Sequence, residues 1–93
     1  MTYTQRQLAR HALGLPNKKK MSFRNRFCTG PGSSDWPEWI DMVANGEAVK
    51  RDGPCWGGYS MFHLTLNGAL PAKDPKENLS PEDVRVMHAL VLA

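Results

Sequence analysis

Apolar residues return at helical spacing in three parts of the chain and alternate with polar ones in a fourth. Trp36, Trp39, Ile40, Val43 and Ala44 fall at i, i+3, i+4, i+7 and i+8, the stripe of an amphipathic helix. Asp35 stands where an N-cap is wanted, Pro37 and Glu38 suit a first turn, and Asn45-Gly46 closes the element. Nearer the N-terminus, Leu8, Ala12 and Leu15 share a face. Thr4 and Gln7 have capping-box spacing, and Gly14-Leu15-Pro16 reads as a stop, so a helix is expected over about residues 5–13. Ser80-Pro81-Glu82-Asp83 opens a last helix carrying Val84, Met87, His88 and Val91. In YSMFHLT, Phe62 and Leu64 point one way and Tyr59, Met61 and His63 the other, and the preceding EAVKR completes a β-hairpin with Trp56 at its tip. Residues 17–34 are the least patterned. Phe23 and Phe27 stand four apart, which suits a short helix with both rings directed to the core, and GPGSS after them is a turn.

These elements predict a small single α+β domain over residues 1–93, with three or four helices and a hairpin. Its parts are a basic N-terminal third (1–34), a helix–hairpin body (35–70), a linker rich in proline and charge (71–79) and a C-terminal helix (80–93). Pro71 is expected to cut short any helix after the hairpin. With 41% hydrophobic residues, three Trp, three Phe and two Tyr, the chain can fill one core, in which Trp39, Ile40, Val43, Phe62 and Leu64 should meet.

Charge changes the picture. The net value of +3 conceals a split: residues 1–34 hold seven bases and no acid, giving +7, whereas nine acids oppose five bases from Asp35 onward, giving −4. Such a cationic end attracts phosphates or acidic protein surfaces. Lys18, Lys19, Lys20, Arg24 and Arg26 lie within nine residues and are interleaved with Phe23 and Phe27, a mixture that tracks a nucleic-acid backbone and also suits an acidic groove on a protein. With Arg6, Arg10 and the exposed-tip candidate Trp56 they make up the predicted binding set.

Other chemistry finds little support. Cys28, Cys55, His11, His63 and His88 stand singly, without the paired spacing of a zinc site. Nothing local activates either cysteine as a nucleophile, and both are expected to be free thiols. GPGSS and WGGYS lack the Lys-Ser/Thr that follows a phosphate-cradling loop. A non-enzymatic protein without cofactors is therefore expected. No apolar run reaches the roughly 18 residues of a membrane span, and the N-terminus lacks a signal-type apolar core; the expected location is cytoplasmic, with no membrane contact.

Residues 36–69 have the order helix, glycine, strand, loop, strand, F-x-LT-x-x-G, and Phe62, Leu64, Thr65 and Gly68 make this stretch similar to the end of winged helix-turn-helix domains. The helix before the wing carries Asp35, Glu38 and Asp41 and no base, so it does not suit entry into a DNA groove. ARHALGLPN (9–17) and SFRNRF (22–27) resemble small uncharacterised proteins of bacteriophages and prophages. That resemblance implies a phage-type accessory binding protein, at work in a bacterial host cell, whose basic third engages nucleic acid or a nucleoprotein. The alternatives are a protein-directed inhibitor of a host defence or regulatory complex, in the manner of anti-CRISPR proteins, and a structural or accessory part of the virion.

Overall fold

The structure, a computed structural model, describes residues 1–52, 55 and 57–92, and for residues 90–92 the backbone alone. The described residues form a small α+β domain in the order α1 (Tyr3–Leu13), β1 (Phe27–Thr29), α2 (Trp36–Ala44), β2 (Ala48–Asp52), β3 (Ser60–Leu64), α3 (Leu66–Ala72) and α4 (Pro81–Leu92). The three strands make one antiparallel sheet, β1-β3-β2. Phe27 pairs with Phe62 on one side, and Lys50 with Phe62 on the other. The alternation read from YSMFHLT holds: Ser60, Phe62 and Leu64 are buried, while Met61 and His63 are half-buried on the opposite face.

Trp39 is the centre of the core. Its ring packs against those of Phe27 and Phe62, with centroids 5.2 and 5.4 Å away. Leu13, Met42, Leu64, Ala69, Ala72 and Met87 close the cluster from the sheet and the four helices. The α2 stripe is rotated from the one expected. Trp39 is fully buried with Met42, and Trp36 and Val43 pack beside them, whereas Ile40 and Ala44 are exposed. Centring the helix on the largest ring turns the adjacent Ile40 about 100° away, onto the flank.

Helix ends depart from the sequence reading in informative ways. The capping box at α1 is Thr2 with Gln5, two residues earlier than Thr4 with Gln7. The stop is as expected, with Gly14 left-handed at φ 79°. Asp35 precedes α2, but its side chain does not cap the helix; it accepts instead from the Thr29 hydroxyl at 2.5 Å. Helix α3 passes through Pro71 and ends at Ala72, so the linker begins later than residue 71. Pro71 forfeits one bond to Asn67, whose exposed position leaves that carbonyl to water, while Ala69 and Ala72 stay buried. At Gly68 the helix runs so close to β2's approach that a Cβ would collide with the Glu47 carbonyl oxygen. Residues 22–26 are not helical, and Phe23 is 65% exposed rather than in the core.

Two links tie the N-terminal third to the rest. Arg10, only 6% exposed, makes a bidentate pair with buried Glu77 (2.6 and 2.8 Å) and donates to the Ala72 carbonyl at 2.9 Å. Arg6 donates to the Pro71 carbonyl and to Asp74. Both arginines thus satisfy carbonyls at the end of α3, which have no partner inside that helix. The second link is covalent. Cys28 and Cys55 form a disulfide with Cα atoms 6.2 Å apart, so the free thiols expected from composition are not found. Spacing gave no hint of the pair because β1 is brought beside the hairpin only by its pairing with β3.

Two outcomes are expected. Because the disulfide closes a loop over a sequence separation of 27, dithiothreitol should remove about 3 kcal/mol of stability and lower the melting temperature by at least about 10 °C. The Cys28→Ser, Cys55→Ser double variant should not respond to reductant; an equal melt with and without reductant in the wild type would refute the bond. Glu77 is held down to about 2 from 4.5, first by the Arg10 hydrogen bonds, against the opposing effect of burial, and then by the Asp74 N–H and the Arg10 and Arg6 charges. A carboxylate lowered on folding contributes stability that is complete above pH 4.5 and is lost as pH falls towards 2. Glu77→Gln should cost about 3 kcal/mol at neutral pH and flatten that acid loss in denaturant titrations; a variant as acid-sensitive as the wild type would assign the loss elsewhere.

Candidate nucleic-acid interface

The basic segment is a pinned ridge laid over the C-terminal end of α1. The last carbonyls of a helix lack internal partners, and here residues 17–26 supply them. Asn17 donates through Nδ2 to the Gly14 carbonyl at 2.9 Å and to the Met21 carbonyl at 2.8 Å. The Phe23 N–H donates to Leu13 and the Arg26 N–H to Ala12. The Arg24 guanidinium donates to the His11 carbonyl at 2.8 and 3.3 Å. On the far side the backbone of Asn78 accepts from Ser22 and donates to Lys20. Asn25 continues the line of β1, its side chain pairing with both the N–H and the C=O of Leu64.

The side chains follow from this backbone. The Asn17 bracket makes residues 17–21 a tight loop, and Lys18, Lys19 and Lys20 project from it, all exposed. Lys20 takes a positive φ of 52° there. Arg26 is exposed as well, and Arg24 is half-buried with its guanidinium 5.3 Å from the centroid of the Phe23 ring. Among the described residues, none of these five cations is in an ion pair. A carboxylate close by, Asp83, accepts from the Ser22 hydroxyl at 2.8 Å.

Among the described residues four grooves border the ridge; one, of about 450 Å³, lies where Asn17 and Lys20 face Asp74, Lys76 and Glu77, and three others follow the cations. One of about 310 Å³ is lined by Asn17, Lys18, Lys19, Met21 and Phe23. The next, about 410 Å³, runs from Phe23 past Arg24, Asn25 and Arg26 to Met61, His63, Asp83 and Val86. The third, about 350 Å³, has His11, Arg24, Arg26, Phe27, Cys28 and Met61 as its walls. Neighbours among these three share Phe23 or the pair of arginines.

Of the residues singled out from sequence, Lys18, Lys19, Lys20, Arg24 and Arg26 are brought together. Arg6 and Arg10 are not part of the ridge, being engaged with Asp74, Glu77 and the end of α3. Trp56 lies outside the described residues. Sequence reasoning missed His11, Asn17, Met61 and His63 as neighbours of the cations; Asn17 beside Pro16 was a local signal of a turn, whereas the other three depend on long-range pairing. No helix of the described residues is long and apolar enough to cross a membrane, and no group of metal-ligating side chains is found among them. Comparisons with protein-family models, with curated proteins and with solved structures returned no match to this chain.

Proposed function

We propose that the protein is a non-enzymatic, phage-type accessory protein that binds nucleic acid, alone or within a nucleoprotein, through the ridge of residues 17–26. The observation that carries this reading is five cations, none in an ion pair among the described residues, on a backbone held at Asn17, Ser22, Phe23 and Arg26. Phosphate contacts by such residues supply most of the affinity for nucleic acid. A rigid ridge also loses little entropy on binding. The winged-helix likeness of residues 36–69 adds no DNA-reading helix. In α2, Glu38 and Asp41 instead accept from the Gln5 amide at 3.2 and 2.7 Å, joining α2 to α1. Nucleic acid is met inside the host cell, so the proposal keeps a cytoplasmic location, and no cofactor is invoked. The disulfide removes the argument from free thiols, and the location rests on the ligand instead.

The test is the salt dependence of binding. Lys18→Ala, Lys19→Ala and Arg26→Ala together should weaken binding to nucleic acid of any sequence. The slope of log affinity against log salt should fall by about one unit for each phosphate that is no longer neutralised. These side chains are exposed, so the melting temperature should be unchanged. Fluorescence anisotropy from low to physiological salt reads the affinity and its slope. Absence of salt-sensitive binding to any DNA or RNA would reject the proposal, and recovery of a defined host protein complex in its place would favour the inhibitor alternative.

A further inference from the structure

Resting on the nucleic-acid reading, we infer that the ridge takes a single strand, with an unpaired base stacked on Phe23 and the backbone following the grooves between the Lys18-Lys19 loop and Arg26. Phe23 is the most exposed phenylalanine, at 65%, yet its backbone is fixed by the bond to Leu13. Gly14 lies against one edge of the ring, where a Cβ would collide with it, and Arg24 sits over the ring. A bulky aromatic held out from the body on a fixed support is a stacking platform, and base stacking of this kind accepts every base because each has a π-face. Val86, 55% exposed, lines the same groove and extends the apolar surface. Cations therefore adjoin apolar faces along one path, as phosphates adjoin bases along an unpaired strand, and the carboxylate in its wall, Asp83, accepts from the Ser22 hydroxyl.

A duplex fits less well. Its bases are stacked inward, so it can offer nothing to Phe23, and reading its major groove requires an inserted helix or β-ribbon. The helices carry the wrong groups for that: Arg6 and Arg10 of α1 are engaged with Asp74 and Glu77, and α2 presents Glu38 and Asp41. The cations sit on an irregular segment, which follows a flexible strand and supplies neither the helix nor the β-ribbon that fills a major groove.

The experiment compares a fluorescein-labelled oligothymidylate with the same oligonucleotide annealed to its complement, using the intact protein. Wild type should bind the single strand more tightly. Phe23→Ala should weaken that binding about ten-fold with an unchanged salt slope, because every phosphate keeps its cation, and should leave duplex binding unaltered. Phe23→Trp should retain affinity, whereas Phe23→Leu, which keeps an apolar side chain and removes the ring, should behave like Phe23→Ala. Thermal melts check that each variant is folded. Equal or tighter binding of the duplex would overturn the inference while leaving the nucleic-acid reading standing, and so would a Phe23→Ala or Phe23→Leu variant that binds the single strand like wild type. Binding to neither oligonucleotide at low salt would overturn both.

Discussion

The ion pair between Arg10 and Glu77 is the interaction on which the layout of the protein depends. Both groups are buried, and burial of charge is costly unless each partner's hydrogen-bonding capacity is met. Here it is largely met: the guanidinium also reaches the Ala72 carbonyl, and the carboxylate accepts from the Asp74 N–H at 2.7 Å. The pair fixes α1 against the end of α3 and sets the path of residues 73–79. Asn78 follows Glu77 directly, and its backbone is the partner of Lys20 and Ser22. A charge pair in the interior thereby determines where a cationic loop stands on the surface.

The aromatic layer is the second constraint. Packing Trp39 against both Phe27 and Phe62, stacked on the latter, ties α2 to two strands at once. It also explains why a β1 of three residues persists, since a strand so short has little stability of its own. Pairing at Phe27↔Phe62 places Cys28 opposite Met61 on the other face of the sheet. That face is where the disulfide and the third groove occur together, with Cys28 in both.

The elements legible in the sequence were those whose signals are local. The left-handed Gly14, the helix after Asp35, the alternation in residues 60–64 and the Ser80 start of α4, where the Ser80 hydroxyl accepts from the Asp83 N–H, all follow from neighbours a few residues away. Errors arose where a long-range partner competed with a local one. Thr4 and Gln7 have the same spacing as Thr2 and Gln5, but Gln5 also holds Glu38 and Asp41 across the helix interface. Asp35 was claimed by Thr29, Cys28 by Cys55, and Arg10 by Glu77. Phe27 was correctly expected inside, while Phe23, assigned to the same helical face, is outside because the segment is extended and Gly14 rather than a core pocket receives its edge. The candidate interface was legible as a cluster of cations and not as a surface, since Met61 of β3 lines two of the grooves beside it and Asp83 and Val86 of α4 line one, all far from the cations in sequence.

The charge split of the sequence has a structural meaning different from its arithmetic. Of the seven bases in the first third, Arg6 and Arg10 are neutralised by Asp74 and Glu77 from the acidic remainder. Their role is to join the two parts of the chain. The five that remain all lie within residues 18–26, four of them exposed and Arg24 half-buried, so the field of the N-terminal third is concentrated on one ridge rather than spread over an end of the molecule. Such concentration matters because exposed charges act over about a Debye length, roughly 8 Å at physiological ionic strength. The Cα atoms of Lys18, Lys19 and Lys20, joined by consecutive peptide bonds, lie within about that range of one another, and Arg24 and Arg26 extend the cationic run along the same segment. The two sets of bases are thus complementary uses of one composition: Arg6 and Arg10 hold Asp74 and Glu77 at the end of α3, and so these carboxylates, although they share a pocket with Lys20, are paired to other cations, while the five bases of residues 18–26 are in no ion pair among the described residues.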